Sequence, residues 1–365
     1  MGVHYLMRNH ERYNARLPFR ITFSDKDDME GDCFIEDYKE MGNGEIKYIG
    51  IDGSVFIHSY IISEADEVDI ELSAKKIAHK ILEYVKSITY YFNFFNGNNE
   101  ENAIILHLVF DGKPPVAKNR KLRGKPDLYT IMSDQDKKEL HDRIVSIVEE
   151  AKDNKRLILL SNKDESDDIR GEGELVLYSL CQKIRDKYRD NANIRTVIVS
   201  SDSDVVALML LKRDKNMIVI SPTTNQIYMT SYNLITKGLK LQDDQIAKYV
   251  ILHFIFFGSD YNLGLMTNPN DSKQYVIHQA VKEGWANNLD DVGIKCVRRK
   301  GKKQKITKSD HYLEKLKKLL IEEAICSILY YTSFGNKHYL KKHSPLLFRK
   351  DAIKKFIPLI SFSSH

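Results

Sequence analysis

The sequence predicts an α/β fold with a central, mainly parallel, twisted sheet flanked by helices. Short runs of β-branched and aromatic residues end near residues 51, 110, 160 and 199, and such runs are typical of buried strands. Helical patterns cover residues 73–95, 133–152 and 173–188. Strands that alternate with helices favour a parallel sheet, because a crossover helix joins parallel neighbours.

The individual elements follow from local signals in chain order. One strand ends at Asp52, and the Asn-rich turn 96–99 leads into another that ends at Asp111. Ser133 is a candidate N-cap for the next helix, with Asp136 in its first turn. The apolar run 250–259 predicts a further buried strand, and the pattern after it becomes mostly helical.

The chain organises into two regions on these patterns. We expect a core over residues 1–265 and a mainly helical C-terminal region over residues 266–365 packed on it. Residues 23–46 are polar and punctuated by glycine, which predicts an exposed insertion. Residues 113–155 begin as a basic segment marked by Pro and Gly and continue into a helix.

Acidic residues stand near the ends of the predicted strands or at the start of a helical pattern. Ligands bind at the carboxyl ends of strands in an open parallel sheet, so these carboxylates would meet at one edge. Hard divalent cations such as Mg²⁺ or Mn²⁺ would neutralise them. Two such ions can hydrolyse a phosphodiester. The seven residues are Asp52, Asp111, Glu172, Glu174, Asp202, Asp204 and Asp260. Taken singly, each could instead be a turn residue or a helix cap.

Composition narrows the partners and the compartment. The 365 residues carry a net charge of +5, so a surface outside an acidic cluster must be basic, which suits a polyanion. The four cysteines lie far apart, which predicts free thiols in a reducing compartment. No apolar run approaches the ~20 residues of a membrane span. We expect a soluble intracellular protein, cytoplasmic rather than nuclear, and the Asn-, Lys- and Ile-rich turns suggest AT-rich coding, as in some large DNA viruses.

Six short blocks resemble the 5′-nuclease (PIN-like/FEN) superfamily, which contains flap endonucleases and Xrn-type 5′→3′ exoribonucleases. They occur in the family's order at residues 2–13, 51–58, 109–118, 170–174, 201–204 and 257–261. His58 and the Gly-Glu-Gly-Glu block at 171–174 are more similar to Xrn enzymes, whereas residues 113–115 and 258–261 are more similar to flap endonucleases. The Gly-x-Gly hairpin of flap endonucleases is missing after Asp260, so the chain is closest to the Xrn type.

The resemblance assigns roles to individual residues. All seven carboxylates match metal ligands. Asp111, Glu172, Glu174 and Asp202 would form the inner metal shell, and Asp52, Asp204 and Asp260 would bind the second ion or orient its waters. Lys118 matches a lysine that contacts the scissile phosphate, so it joins the seven as a catalytic residue, and residues 113–155 correspond to the helical arch. His58 matches a histidine that stacks on the terminal base. The expected nucleic-acid contacts are Gly2, His58, Lys118, Arg120, Arg123 and Lys125.

The resemblance implies a two-metal 5′→3′ exonuclease that acts on RNA with a 5′ monophosphate. Its cofactors would be two Mg²⁺ or Mn²⁺ ions, and its partner a nucleic acid, single-stranded RNA before DNA. One alternative is a structure-specific flap endonuclease or 5′-exonuclease that acts on DNA in replication or repair. A second alternative is a nucleic-acid-binding relative that does not cleave.

Overall fold

The computed structural model describes the greater part of the chain between residues 44 and 284. The described ranges are 44–64, 67–95, 104–111, 132–151, 157–159, 172–189, 193–222, 227–262, 264–265 and 271–284. Also described are residue 6, residues 17–19, residue 129, residue 321, residues 324–325 and residues 327–328. Most of the predicted insertion, the basic segment after Asp111 and most of the C-terminal region therefore lie outside the described residues.

A seven-stranded sheet with the order β1-β9-β8-β7-β2-β5-β6 forms the centre of the molecule. Its strands are β1 (Leu17–Phe19), β2 (Glu45–Asp52), β5 (Ile105–Val109), β6 (Leu157–Leu159), β7 (Ile194–Val199), β8 (Met217–Pro222) and β9 (Ile227–Ser231). Five neighbouring strands, from β8 through β7, β2 and β5 to β6, run parallel. Strands β9 and β1 add to one edge in antiparallel pairing. The mainly parallel sheet that the sequence predicts is confirmed.

Helices cover both faces of this sheet. They are α1 (Gly53–Tyr60), α2 (Ile70–Phe95), α3 (Asp134–Ala151), α4 (Gly173–Lys187), α5 (Ser203–Leu211), α6 (Tyr232–Leu239), α7 (Asp243–Phe256) and α8 (Asp271–Lys282). Side chains of α1, α2 and α3 pack with Ile49 and Ile51 on one face. Those of α4, α5, α7 and α8 pack with Tyr48 on the other, as the alternation of side chains along a strand requires. A two-stranded sheet of β3 (Ser63–Glu64) and β4 (Glu67–Val68) lies outside this arrangement.

Several predicted boundaries agree with the structure within a few residues. The helix predicted over 133–152 spans Asp134–Ala151, and the Ser133 hydroxyl accepts a hydrogen bond from the Asp136 amide at 3.1 Å, as expected of a cap. Strand β2 begins at Glu45, so the last residues of the predicted insertion belong to the sheet, and Ile46 is fully buried. The prediction of an exposed insertion therefore cannot hold for those positions.

The strand predicted over residues 250–259 is wrong, because residues 250–256 form the last part of a helix and residues 257–259 follow its end. Helix α7 runs from Asp243 to Phe256 and begins with a capping box between Gln242 and Gln245. Its last two turns are apolar except for the fully buried His253, because they lie inside the core with residues of α5 and α8. A helix that is buried on every side loses the 3.6-residue polar alternation by which it differs from a buried strand.

The structure describes one of the four cysteines, and its helices can be compared with the length of a membrane span. Cys181 is a free and buried thiol, while the other three cysteines lie outside the described residues. Within the part of the chain that the structure describes, no helix is long and apolar enough to cross a membrane.

The packing of α4 on the sheet yields a stability prediction. Leu177 is fully buried, and its Cδ2 atom lies 2.7 Å from where a Cβ at Gly50 of β2 would stand, so α4 lies close against the sheet. We expect Leu177→Ala to lower the free energy of unfolding by about 2–5 kcal/mol, since it leaves a cavity. Leu72→Ala, at a position of α2 that is 46% exposed, is the control and should change it by less than about 0.5 kcal/mol. Urea titrations of the two variants give the comparison, and equal midpoints would contradict it.

Candidate metal centre

The adjacent parallel strands β2 and β7 bring the first two carboxylates to the carboxyl ends of the strands, which we call the acidic edge of the sheet. Asp52 is the last residue of β2 and the N-cap of α1, and its Oδ1 accepts a hydrogen bond from the Ser54 amide at 3.0 Å. Asp202 follows β7 and caps α5, accepting from the Asp204 amide at 3.1 Å. The capping role that the sequence left open is therefore real. The cap hydrogen bond uses Oδ1 of each side chain, and both carboxylates still lie at the carboxyl ends of the strands.

A third carboxylate, Asp111, follows β5 and lies close to Asp52 and to the start of α4. The Gly173 amide donates to Asp111 Oδ1 at 2.7 Å. A Cβ at Gly173 would stand 3.3 Å from Asp111 Oδ1 and 3.6 Å from Asp52 Oδ1, so the helix begins in close approach to both. The Asp111 amide donates to the Ser54 hydroxyl at 3.0 Å, which ties the end of β5 to α1.

Three buried carboxylates form the tightest group at this edge. Oxygen atoms of Glu172, Glu174 and Asp204 all lie within 4.8 Å of one another. Among the described residues, Glu174 Oε1 has no hydrogen-bond partner although it is shielded from solvent. A buried acceptor without a donor is costly, and a cation is the natural partner for it. The geometry places Asp204 with Glu172 and Glu174, whereas the sequence analysis grouped it with Asp52 and Asp260, which would bind the second ion or orient its waters.

Burial and mutual repulsion raise the pKa of two of these acids. Burial, followed by the neighbouring Asp111 carboxylate, raises the pKa of Asp52 to about 8, against the opposing effect of the Ser200 hydrogen bond. Burial raises the pKa of Glu174 well above its usual range, and Glu172, Asp111, Asp202 and Asp52 add to the effect. An all-oxygen, anionic donor set under this repulsion fits a hard divalent cation, whose charge would restore the ionised forms.

The loop after α7 carries the seventh predicted carboxylate. Gly258 turns the chain with a φ of 81°, which closes the end of the helix. The Ser259 hydroxyl donates to Asn262 Oδ1 at 2.7 Å, and Asn262 Nδ2 donates to the Phe254 carbonyl at 2.8 Å. Asp260 is buried in this braced loop, and the hydroxyl of Tyr261 donates to Glu172 Oε2. The loop thus reaches the carboxylate group through Tyr261.

The predicted nucleic-acid contacts divide between described and undescribed parts of the chain. His58 lies in the last turn of α1, exposed, with its ring edge-on to Tyr129 at a centroid separation of 5.2 Å. The remaining predicted contacts lie outside the described residues: Gly2, Lys118, Arg120, Arg123 and Lys125.

Hydroxyl groups that the sequence did not single out orient the carboxylates. The Ser200 hydroxyl donates to Asp52 Oδ2 at 2.9 Å and accepts from the Asp202 amide at 3.1 Å, so it joins the two strand ends. The Ser54 hydroxyl accepts from the backbone amide of Asp111, whereas the Tyr261 hydroxyl, like that of Ser200, donates to a carboxylate, here that of Glu172. A serine beside a strand-end aspartate is a weak local signal for the first two. Tyr261 is 89 residues from Glu172, and only the fold reveals that contact.

A family model matches part of the chain that contains four of these acids. Residues 130–222 match the XRN 5′-3′ exonuclease N-terminus, and this range includes Glu172, Glu174, Asp202 and Asp204. The match confirms the predicted resemblance to Xrn-type enzymes over those residues. No curated protein matches the chain.

Solved structures of 5′-nucleases are similar to the chain over most of its length. The catalytic core of Rad2 in complex with DNA substrate is 18% identical, with a TM-score of 0.42 over 80% of this chain and 79% of that one. A bacteriophage T5 flap endonuclease complex with DNA and metal ions is 13% identical, with a TM-score of 0.42 over 86% and 99%. Flap endonuclease-1 from Methanococcus jannaschii is 16% identical, with a TM-score of 0.35 over 96% and 97%.

The raised pKa of Asp52 predicts how the stability of the metal-free protein depends on pH. Because the folded state holds a proton up to about pH 8 that the unfolded chain releases near pH 4, the stabilisation is present at low pH and is lost as the pH rises through about 8. We expect the melting temperature in EDTA to fall as the pH rises from about 4 to about 8, and to level off above that pH. Added Mg²⁺ should raise it most at the higher pH.

Asp52→Asn is the matched control for this dependence. Asparagine keeps the helix cap but carries no charge, so its melting temperature should depend less steeply on pH. Parallel curves for the wild type and Asp52→Asn, measured by calorimetry in EDTA, would contradict the prediction.

Proposed function

We propose that this protein is a metal-dependent 5′→3′ exonuclease that hydrolyses phosphodiester bonds, with 5′-monophosphorylated RNA as its substrate. The observation that carries the proposal is the buried group of carboxylates at the carboxyl edge of the parallel sheet. Four of them fall within the stretch that matches the Xrn N-terminus. These buried carboxylates are not solvated surface charges, and divalent cations that act on phosphate would neutralise them.

The carboxylates would hold two Mg²⁺ or Mn²⁺ ions. When bound, such ions make an attacking water more acidic and neutralise charge on the leaving oxygen. Glu172, Glu174 and Asp204 are the best placed to share one ion, because their oxygens lie within 4.8 Å of one another. Proposed ligands for the second are Asp52, Asp111 and Asp202, with Asp260 as the seventh member of the set.

The protein's own contribution would be orientation of these ligands before any substrate arrives. Ser200 fixes Asp52, the Gly173 amide fixes Asp111, and the Tyr261 hydroxyl fixes Glu172. Groups that support a ligand in this way set its direction and preserve its charge. No side-chain nucleophile is required, since water attacks the phosphorus.

The 5′ end of the substrate would be bound by residues beyond the acidic edge. Lys118 is proposed to contact the scissile phosphate, and Gly2, Arg120, Arg123 and Lys125 to surround the terminal phosphate. The exposed His58, at the end of the helix that Asp52 caps, is the proposed platform for the terminal base. In this proposal residues 1–265 form the nuclease core, with 113–155 as its arch, and residues 266–365 pack on it.

Matched substrates test the proposal directly. The protein is incubated with Mg²⁺ and with 5′-phosphorylated RNA, single-stranded DNA and a DNA flap of the same sequence, and product lengths are followed over time. Single nucleotides released from the 5′ end, fastest for RNA, are expected. Internal cuts at the flap junction would instead support the flap endonuclease, and no cleavage of any substrate would support the non-cleaving relative.

Removal of one central carboxylate should abolish cleavage. We expect Asp202→Ala and Asp202→Asn both to lower the rate by orders of magnitude while nucleic-acid binding is largely kept. Only the alanine should also lower stability, by about 1 kcal/mol, since asparagine retains the cap on α5. Asp186→Ala, an exposed change on α4, is the control. Cleavage by Asp202→Asn within about tenfold of the wild type, only ~1.4 kcal/mol of barrier, would remove Asp202 from the site.

The basic segment should make the enzyme depend on a 5′ monophosphate. Charge-assisted contacts to phosphate are about twice as strong as neutral hydrogen bonds, so RNA with a 5′ hydroxyl should be degraded ~10-fold or more slowly. The double change Arg120→Ala and Arg123→Ala should erase this preference and keep residual cleavage, because the metal ligands remain. The measurement is the ratio of kcat/KM for the two RNAs, and a ratio near one in the wild type would contradict the expectation.

A further inference from the structure

Four aromatic rings connect the acidic edge of the sheet to the surface at His58. Phe110, which precedes Asp111, stacks on His141 of α3 with ring centroids 4.7 Å apart and an angle of 19° between the planes. His141 Nε2 lies 2.7 Å from the hydroxyl of Tyr129. The ring of Tyr129 meets that of His58 edge-on, at 5.2 Å and 88°.

The middle of this row is held in a defined position. The hydroxyl of Tyr129 and the imidazole of His141 are joined by a short hydrogen bond, and Lys137 Nζ lies 5.3 Å from the centroid of the Tyr129 ring. Burial lowers the pKa of His141 to about 4, so the imidazole is neutral near pH 7. Tyr129 is itself only 9% exposed. The pair is therefore a packed, internally bonded support, with the exposed imidazole of His58 at its outer end.

We propose that Tyr129 and His141 act together as positioning residues that fix the ring of His58 as a platform for the terminal base of a single strand. This inference rests on the proposed function. A stacking ring that rotates freely must be ordered when the base binds, whereas a ring held edge-on by a neighbour is already ordered. The support begins at Phe110, whose neighbour along the chain is Asp111.

A second tyrosine–histidine pair in the same protein provides a matched control. Tyr48 and His107, on neighbouring strands β2 and β5, are joined by a hydrogen bond of 3.2 Å inside the core. Their rings also meet edge-on, at 5.3 Å. Tyr48→Phe therefore removes the same kind of bond from a buried pair that does not touch His58.

The test compares Tyr129→Phe, His141→Phe, the double variant and Tyr48→Phe. Each is bound, without divalent ions so that nothing is cleaved, to a 5′-phosphorylated oligonucleotide whose first base is 2-aminopurine, a fluorophore quenched by stacking. Cleavage with Mg²⁺ is measured in parallel. We expect both single changes to reduce the quench and to raise KM about fivefold, the value of one hydrogen bond, with kcat changed less than about twofold. The double variant should be no worse than either single variant.

Each outcome bears on the inference. Wild-type quench and KM in Tyr129→Phe would overturn it, as would effects of the two single changes that simply add. An equal loss in Tyr48→Phe would overturn it as well, because the cause would then be general loosening; thermal melting of all variants reports that loosening separately. If the wild type cleaves and the Tyr129 and His141 variants behave as the wild type does, only the positioning role of these two residues is contradicted. If the wild type neither quenches the probe nor cleaves, both the positioning role and the proposed function are contradicted.

Discussion

Electrostatic repulsion among buried carboxylates is the constraint on which the arrangement of this edge depends. Burial alone disfavours each charge, and every neighbour of the same sign adds to the cost. The fold answers with fixed hydrogen-bond donors. Helices α1, α4 and α5 all begin at this edge, so their amide groups and the positive ends of their dipoles face the acids. Serine and tyrosine hydroxyls supply the remaining donors.

These donors moderate the repulsion but do not remove it. Asp52 accepts a hydrogen bond at each oxygen and still has a pKa near 8, because burial and Asp111 outweigh both bonds. Glu174 lacks even that compensation at Oε1. Repulsion among the carboxylates remains after all of these hydrogen bonds have formed. Such a site favours the binding of a cation, which would neutralise the remaining charge. The cost of assembling it would be recovered as affinity for that cation.

Local signals in the sequence were sufficient for the elements that lead to this edge. Apolar runs that end in Asp52 and Asp111, and a Gly-Glu-Gly-Glu block that opens a helix, describe strand ends and a helix start without any tertiary information. Where the signal failed, burial had erased it: residues 250–256 of α7 are apolar except for the buried His253, so their pattern did not distinguish helix from strand. Contacts between distant residues, such as Tyr261 with Glu172, depend on how the elements pack and have no local signal at all.

The order of the strands has a consequence for synthesis of the chain. Strand β1 pairs with β9, about two hundred residues later, and the carboxylates that the structure brings to this edge are spread from Asp52 to Asp204. A ribosome must therefore deliver more than three fifths of the polypeptide before β9 can pair with β1. Contacts of such long sequence separation form late and slowly. Every nascent fragment that ends before residue 204 lacks at least one member of the buried group of Glu172, Glu174 and Asp204, so this group forms only after more than half of the chain has been made.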